Sequence, residues 1–185
     1  MKRRGLFILV EGLTDSDFFE ALLNKPEIKS ILESKYEFSR VIRYKDAEKS
    51  WDKGKMRDFL YKTKSAGYDY IFFADINDAP CITRKKEVLL DTYNDLDREK
   101  IIIVVKEIES WFLAGMEEDL ANKYKIDIPH STENITKEDF IDKTKGRSLR
   151  EIEFRQMLLE NFCLDAAQER NKSFAYFLRK LKEDP

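Results

Sequence analysis

Histidine is nearly absent from this chain, with His130 the one imidazole among 185 residues. A multi-histidine zinc site is excluded, and a histidine-based triad would have to run on one ring beside Pro129 in an expected loop. Cysteine is scarce as well: Cys81 and Cys163 lie far apart, match no metal or redox spacing, and fit two reduced thiols in a cytoplasmic protein. With six glycines in all, the chain has no Gly-rich phosphate loop. No apolar run approaches the roughly 20 residues that span a bilayer, so no membrane partner is expected. The opening MKRRGLFILVEG passes from a short basic start into a strand-like run that closes on a glutamate. It carries no small-residue cleavage pattern, so a signal peptide is not expected. An excess of either charge is also missing, since 34 Lys and Arg face 36 Asp and Glu for a formal net charge of -2. The global field therefore attracts neither nucleic acid nor membrane, and any nucleic-acid contact must use a local patch.

What is present is enough apolar content, 42%, for one ordinary domain with a helical extension to bury a core. Four short β-branched or aromatic runs alternate with helical stretches: GLFILVE at 5–11, EFSRVIRY at 37–44, YDYIFFAD at 68–75 and KIIIVVKE at 100–107. The alternation predicts an α/β fold with a mainly parallel four-stranded sheet flanked by helices. Three runs are almost continuously apolar and end in an acid, as buried central strands would; the second is more polar and suits an edge. Helices are expected from Thr14 or Asp15 through DSDFFEALL, from Ala47 to about Ser65, and from Thr83 to about Tyr93. After Trp111 the pieces MEEDLANKY, KEDFIDKT, SLREIEFRQMLLENF and SFAYFLRKL are amphipathic, which gives a core at 1–115 and a helical extension at 116–185 packed on it as one compact unit. IDIPHSTENIT is the expected exposed loop.

In a parallel α/β sheet the functional crevice lies beyond the carboxyl ends of the strands. Three acidic groups are expected there: Glu11, then Asp75 with Asn77 and Asp78, then Glu107 with Glu109. Three carboxylates at the ends of buried strands repel one another unless a cation neutralises them, and oxygen-only ligands select magnesium, manganese or calcium over zinc. Asp15, one helical turn after Glu11, is either a second-ion ligand or a first-turn helix acid. Asn77 and Asp78 are either ligands or ordinary turn formers. Glu107 and Glu109, two apart on an expected strand, would share one face. Trp111 and Phe112-Leu113 are expected in the core.

These blocks resemble the Toprim superfamily, and in particular small stand-alone Toprim-like proteins related to the overcoming-lysogenization-defect nucleases. LVEGLTD, with Glu11 and Gly12, is similar to the family's strand-glutamate-glycine signature. ADIND, with Asp75 and Asn77, is similar to its Asp-x-Asp block, EIESWFLAG at 107–115 to an acidic pair before a tryptophan, and SFAYF at 173–177 to a late Ser-Phe block. The resemblance implies that Glu11 and Asp75 ligate or act beside a metal, with Asp15 and Glu107 or Glu109 as further acids. It also implies a lysine, Lys143 or Lys145, that steadies charge on a phosphate. The implied catalytic set is Glu11, Asp75, Glu107 and Lys143. Two departures stand out: Asn77 replaces the second acid of Asp-x-Asp, and Ala79-Pro80 replaces the glycine-bearing turn of the topoisomerase, primase and ribosomal-RNA maturation branches.

The expected function is then a Mg2+- or Mn2+-dependent phosphodiesterase, a nuclease with a metal-bound water as nucleophile. The alternatives are a catalytically weakened nucleic-acid or nucleotide binding module and a phosphate-transfer enzyme on a small substrate. DNA or RNA would be held by local basic patches. Residues 40–64 carry nine Lys and Arg against four Asp and Glu, interleaved with Tyr44, Trp51 and Tyr61, and residues 143–150 carry four cations. A solvated helix face is the competing reading of the first patch.

Overall fold

A computed structural model of the protein describes residues 4–45, 50–145 and 150–183. The chain divides into two compact units, Met1–Ile103 and Val104–Pro185. Among the described residues no helix is long and apolar enough to cross a membrane.

The first unit follows the order β1 (Leu6–Val10), α1 (Leu13–Leu23), α2 (Pro26–Lys35), β2 (Ser39–Arg43), α3 (Lys53–Ser65), β3 (Asp69–Asp75), α4 (Ile82–Thr92) and β4 (Ile101–Val104). The four strands form an all-parallel sheet in the order β2-β1-β3-β4. The register runs Leu6↔Ser39 to Val10↔Arg43 on one side of β1 and Leu6↔Asp69 to Leu9↔Phe72 on the other. β2 lies at the edge, and its half-exposed residues account for its polar composition.

Both faces of the sheet are covered, which is why the central strands are apolar without alternation. Leu9, Phe72, Ala74 and Ile103 pack with Met56 and Leu60 of α3 and Leu89 of α4 in one buried cluster. The intervening positions turn the other way, and Phe73 meets Phe19 of α1 with ring centroids 4.3 Å apart. Asp52 caps α3 by accepting from the Lys55 N–H at 2.8 Å, so the helix starts at Lys53; the first part of the helix expected from Ala47 falls on residues outside the described ones. Gly67 ends that helix in the left-handed conformation, φ +73°, which a residue without a Cβ adopts at no steric cost. α2 was not expected, yet Pro26 is its first residue, where the missing N–H is harmless.

The second unit is helical: α5 (Glu109–Ala114), α6 (Glu118–Tyr124), α7 (Lys137–Thr144), α8 (Glu151–Glu160), α9 (Leu164–Arg170) and α10 (Lys172–Lys182). Trp111 is fully buried against Phe174 and Phe177, at 5.0 and 5.7 Å between ring centroids. Two expectations need correction here. The fourth strand stops at Val104 rather than Glu107, and Lys106 turns the chain with φ +63° so that Glu109 opens a helix. The segment at 126–136 lacks regular structure but is no surface loop throughout: Ile126, Thr132 and Ile135 are buried, and the Thr132 N–H donates to the Arg170 carbonyl at 3.0 Å.

Candidate functional site

The strand order fixes where a crevice forms. From β1 the chain crosses to β2 on one side and then returns past β1 to β3 on the other, so β1 and β3 flank the point where the winding reverses. Glu11 follows the last residue of β1, and Asp75 is the last residue of β3. Carrying the register on from Leu9↔Phe72 sets Glu11 beside Ala74, one residue short of Asp75. Adjacent strands lie about 4.8 Å apart, so these two carboxylates leave neighbouring strand ends.

β2 ends at the same rim and contributes two residues. The Tyr44 N–H donates to the Val10 carbonyl at 3.0 Å, which places Tyr44 beside the end of β1. Its ring is buried and stacked on Phe72 at 4.4 Å, and its hydroxyl donates to the Phe73 carbonyl at 3.0 Å. That hydroxyl is held well above the ordinary tyrosine range, first by burial and then by the negative charges of Glu11, Asp15 and Asp75, with Tyr93 also contributing. Tyr93, whose hydroxyl donates to the Trp51 carbonyl, is raised for the same leading reasons, burial and then Glu11. Glu11, Asp15 and Asp75 thus add to burial in holding the phenol protonated.

Two of these acids have a role in the fold. Glu11, 18% exposed, takes the Lys45 ammonium at 3.1 Å. Asp15 reaches back to accept the Gly12 N–H at 3.0 Å and so caps α1, the commonplace role open to it in the sequence. Asn77 adopts the left-handed conformation, φ +47°, in a tight turn closed by the Ala79 N–H on the Ile76 carbonyl at 3.1 Å. Asn is among the non-glycine residues that tolerate that conformation best, which accounts for an amide at this position, and both Asn77 and Asp78 point to solvent. Carboxylate oxygens are the right kind of donor for a hard divalent cation. As they stand, however, no group of three or more His, Cys, Asp or Glu among the described residues is arranged to hold a metal ion.

Glu107, Glu109 and Lys143 belong to the second unit. The Glu107 carboxylate accepts the Lys137 N–H at 2.5 Å, at the first residue of α7. Glu109, 4% exposed, pairs with Arg155 of α8 at 2.8 Å, and Arg155 also takes Glu151 at 2.8 Å. Burial holds the Glu109 carboxyl above the ordinary range, with Arg155 pulling it part of the way back. The Lys143 ammonium donates to the Asp127 carbonyl at 3.1 Å, and Lys145 follows the end of α7. Arg147 of the 143–150 patch lies outside the described residues.

The blocks EIESWFLAG and SFAYF meet inside this unit. The Trp111 indole N–H donates to the Ser173 hydroxyl at 2.8 Å, which donates to the Asn171 side-chain oxygen at 2.7 Å. The Asn171 amide donates in turn to the Ser110 and Thr132 hydroxyls at 3.3 and 3.1 Å. Gly115 leaves room for the Phe162 ring, which any Cβ there would strike. Packing and hydrogen bonding thus account for Ser110, Trp111, Gly115 and Ser173 without chemistry.

Sequence reasoning missed Lys45, Arg155 and the buried role of Tyr44. The rule that selected Glu11 and Asp75, residues at the carboxyl ends of strands, would also have selected Tyr44 and Lys45 at the end of the second run. Arg155 gave no such signal, being one cation among many on an amphipathic helix. No protein family, curated protein or solved structure matches the chain in the comparisons made with each.

Proposed function

We propose that the protein is a Mg2+- or Mn2+-dependent phosphodiesterase, a nuclease acting on DNA or RNA, with Glu11 and Asp75 as its principal acids. The observation that carries this reading is the placement of Glu11 and Asp75 at the neighbouring carboxyl ends of β1 and β3, where the winding of the sheet reverses. When bound, a divalent cation supplies neutralisation of the phosphate charge and activation of water. Glu11 and Asp75 would hold it, from strand ends whose backbones are fixed by the sheet. Tyr44 lies beside the end of β1 at the same rim, with its proton committed to the Phe73 carbonyl. Asp15 holds the first turn of α1 against Gly12 and adds charge at the rim.

A polynucleotide needs cations beside the acids. Lys53, Lys55, Arg57, Lys62 and Lys64 are exposed on α3, and Tyr61 is 72% exposed among them. Phosphates can track such a face while the phenol ring stacks on a base. Trp51 is less available, since it packs on Phe59 with the Lys55 ammonium over its ring.

A second reading, a nucleic-acid binding module with weakened catalysis, is favoured by Asn77, a neutral and solvent-exposed amide where an acid would add charge. Incubating the protein with labelled single- and double-stranded DNA and RNA plus Mg2+ or Mn2+ separates the two. Cleavage that is lost in both Glu11→Gln and Asp75→Asn supports the nuclease. Retention of labelled strands without cleavage supports the binding module, and cleavage that survives both substitutions overturns the assignment of the acids.

A further inference from the structure

We infer that the outer edge of β2 is a self-association surface, on which β2 of a second copy of this chain adds antiparallel and makes one continuous sheet across the two copies. The strand order is β2-β1-β3-β4, so among the described residues no strand pairs with the outer side of β2. Peptide groups along a strand point alternately to its two sides. The Leu6 N–H donates to the Phe38 carbonyl and the Tyr44 N–H to the Val10 carbonyl, so the even-numbered residues of this stretch turn toward β1. Ser39 and Val41 therefore present their N–H and carbonyl groups outward, and such a row is a ready template for another strand.

Charge chooses the occupant and its register. Beside the edge lies a cavity of about 400 Å3 between α1, α2 and the first half of β2, and on its lining Glu20, Glu33 and Glu37 outnumber Lys29 and Arg40. Glu37 stands before the strand, whereas Arg43 and Lys45 stand at its far end, all three exposed. An antiparallel second copy lays its basic end against this acidic end, and the two-fold axis repeats the contact; a parallel copy would set arginine beside arginine. Centred on Val41, the two Val41 residues exchange backbone hydrogen bonds, Ser39 faces Arg43 of the second copy, and Arg40 faces its Ile42. Glu37 then falls opposite Lys45 of the second copy. Centring on Arg40 or on Arg43 would instead oppose like charges. Residues paired across strands project from the same face of a sheet, so Arg43 of the second copy stands on the face of Ser39, which lines the cavity.

The test is sedimentation velocity on the full chain over a concentration series, with hydrogen exchange of the Ser39 and Val41 amides followed by NMR at the two ends of the series. Wild type is expected to pass from monomer to dimer, and both amides to exchange more slowly as it does. Val41→Pro deletes an outward N–H where an edge strand tolerates proline, and should stay monomeric with an unchanged circular dichroism spectrum. Arg43→Glu should weaken the dimer by about tenfold or more, and Glu37→Arg added to Arg43→Glu should recover most of that loss. A wild type that stays monomeric throughout overturns the proposal, as does a dimer that survives Val41→Pro and leaves both amides unprotected. Should Val41→Pro misfold, the charge variants decide alone, and a dimer indifferent to them overturns the proposal. Protection that arises in a monomer, only after a synthetic peptide of unrelated sequence is added, overturns it in favour of a peptide occupant.

Discussion

Replacing Ser173 by alanine is expected to destabilise the second unit out of proportion to the single oxygen removed. Ser173 is 6% exposed and sits between two groups that need it: it accepts the Trp111 indole N–H at 2.8 Å and donates to the Asn171 side-chain oxygen at 2.7 Å. A third, longer contact comes from the Val105 N–H at 3.4 Å. In the variant the indole N–H of a fully buried tryptophan loses this acceptor, at a cost of about 1–3 kcal/mol. The Asn171 oxygen loses less, because it still accepts the Phe174 N–H at 3.0 Å, so roughly 1 kcal/mol is added. A loss of about 2–4 kcal/mol results, against the roughly 0.5–3 kcal/mol of an ordinary substitution. The chain has two tryptophans, Trp51 in the first unit and Trp111 in the second, so a Trp51→Phe background leaves Trp111 emission as the probe of the second unit. In urea the midpoint should fall by on the order of 1–2 M. Adding Trp111→Phe removes the stranded donor, so the double variant should be less destabilised than the sum of the singles by about 1 kcal/mol or more. A Ser173→Ala loss under about 0.5 kcal/mol, or strict additivity in the cycle, would refute the reasoning.

Other outcomes follow from the same contacts. Gly115→Ala drives a methyl into the Phe162 ring and should cost about 1–3 kcal/mol in the same urea assay, with part of the loss recovered by Phe162→Leu. Burial holds the Glu109 carboxyl above its ordinary value of 4.5 despite Arg155, so the folded unit binds that proton more tightly than the unfolded chain. Its contribution to stability is therefore present below about pH 4.5 and is lost as pH rises through the raised value; Glu109→Gln should flatten that part of the stability profile, and an unchanged slope counts against it. Asp139 behaves oppositely, since the Thr136 N–H and hydroxyl hold its carboxyl below the ordinary 3.8. That contribution is present above pH 3.8 and fades as pH falls through the lowered value; Thr136→Ala, which removes the hydroxyl and keeps the N–H, should reduce it and cost about 1 kcal/mol of helix capping.

Much of the first unit could be read from residue order alone. The apolar runs ending in Glu11 and Asp75 form central strands because both faces are covered, and the Arg-bearing second run forms the edge for the same reason in reverse. The fourth run misled. KIIIVVKE continues its β-branched pattern past Val104, but the turn at Lys106 and the helix opened by Glu109 depend on Ser110 and Trp111 finding partners at positions 171 and 173, more than sixty residues on. Such a long-range contact leaves no local trace. The late Ser-Phe block stands out as a motif in the sequence, but its reason, a hydroxyl between an indole and an amide, lies in the packing of the helices. The positions of Glu11 and Asp75 at the candidate site could be read because strand ends are legible. The Lys45 partner of Glu11 could not, because a lysine at the end of a polar edge run looks like any other solvated cation.

The most direct measurement is a crystal grown or soaked with Mn2+ and examined by anomalous scattering at the β1/β3 crevice. A peak is expected about 2 Å from carboxylate oxygens of both Glu11 and Asp75. Crystals saturated with the ion that show no peak between the two strand ends would contradict the metal reading.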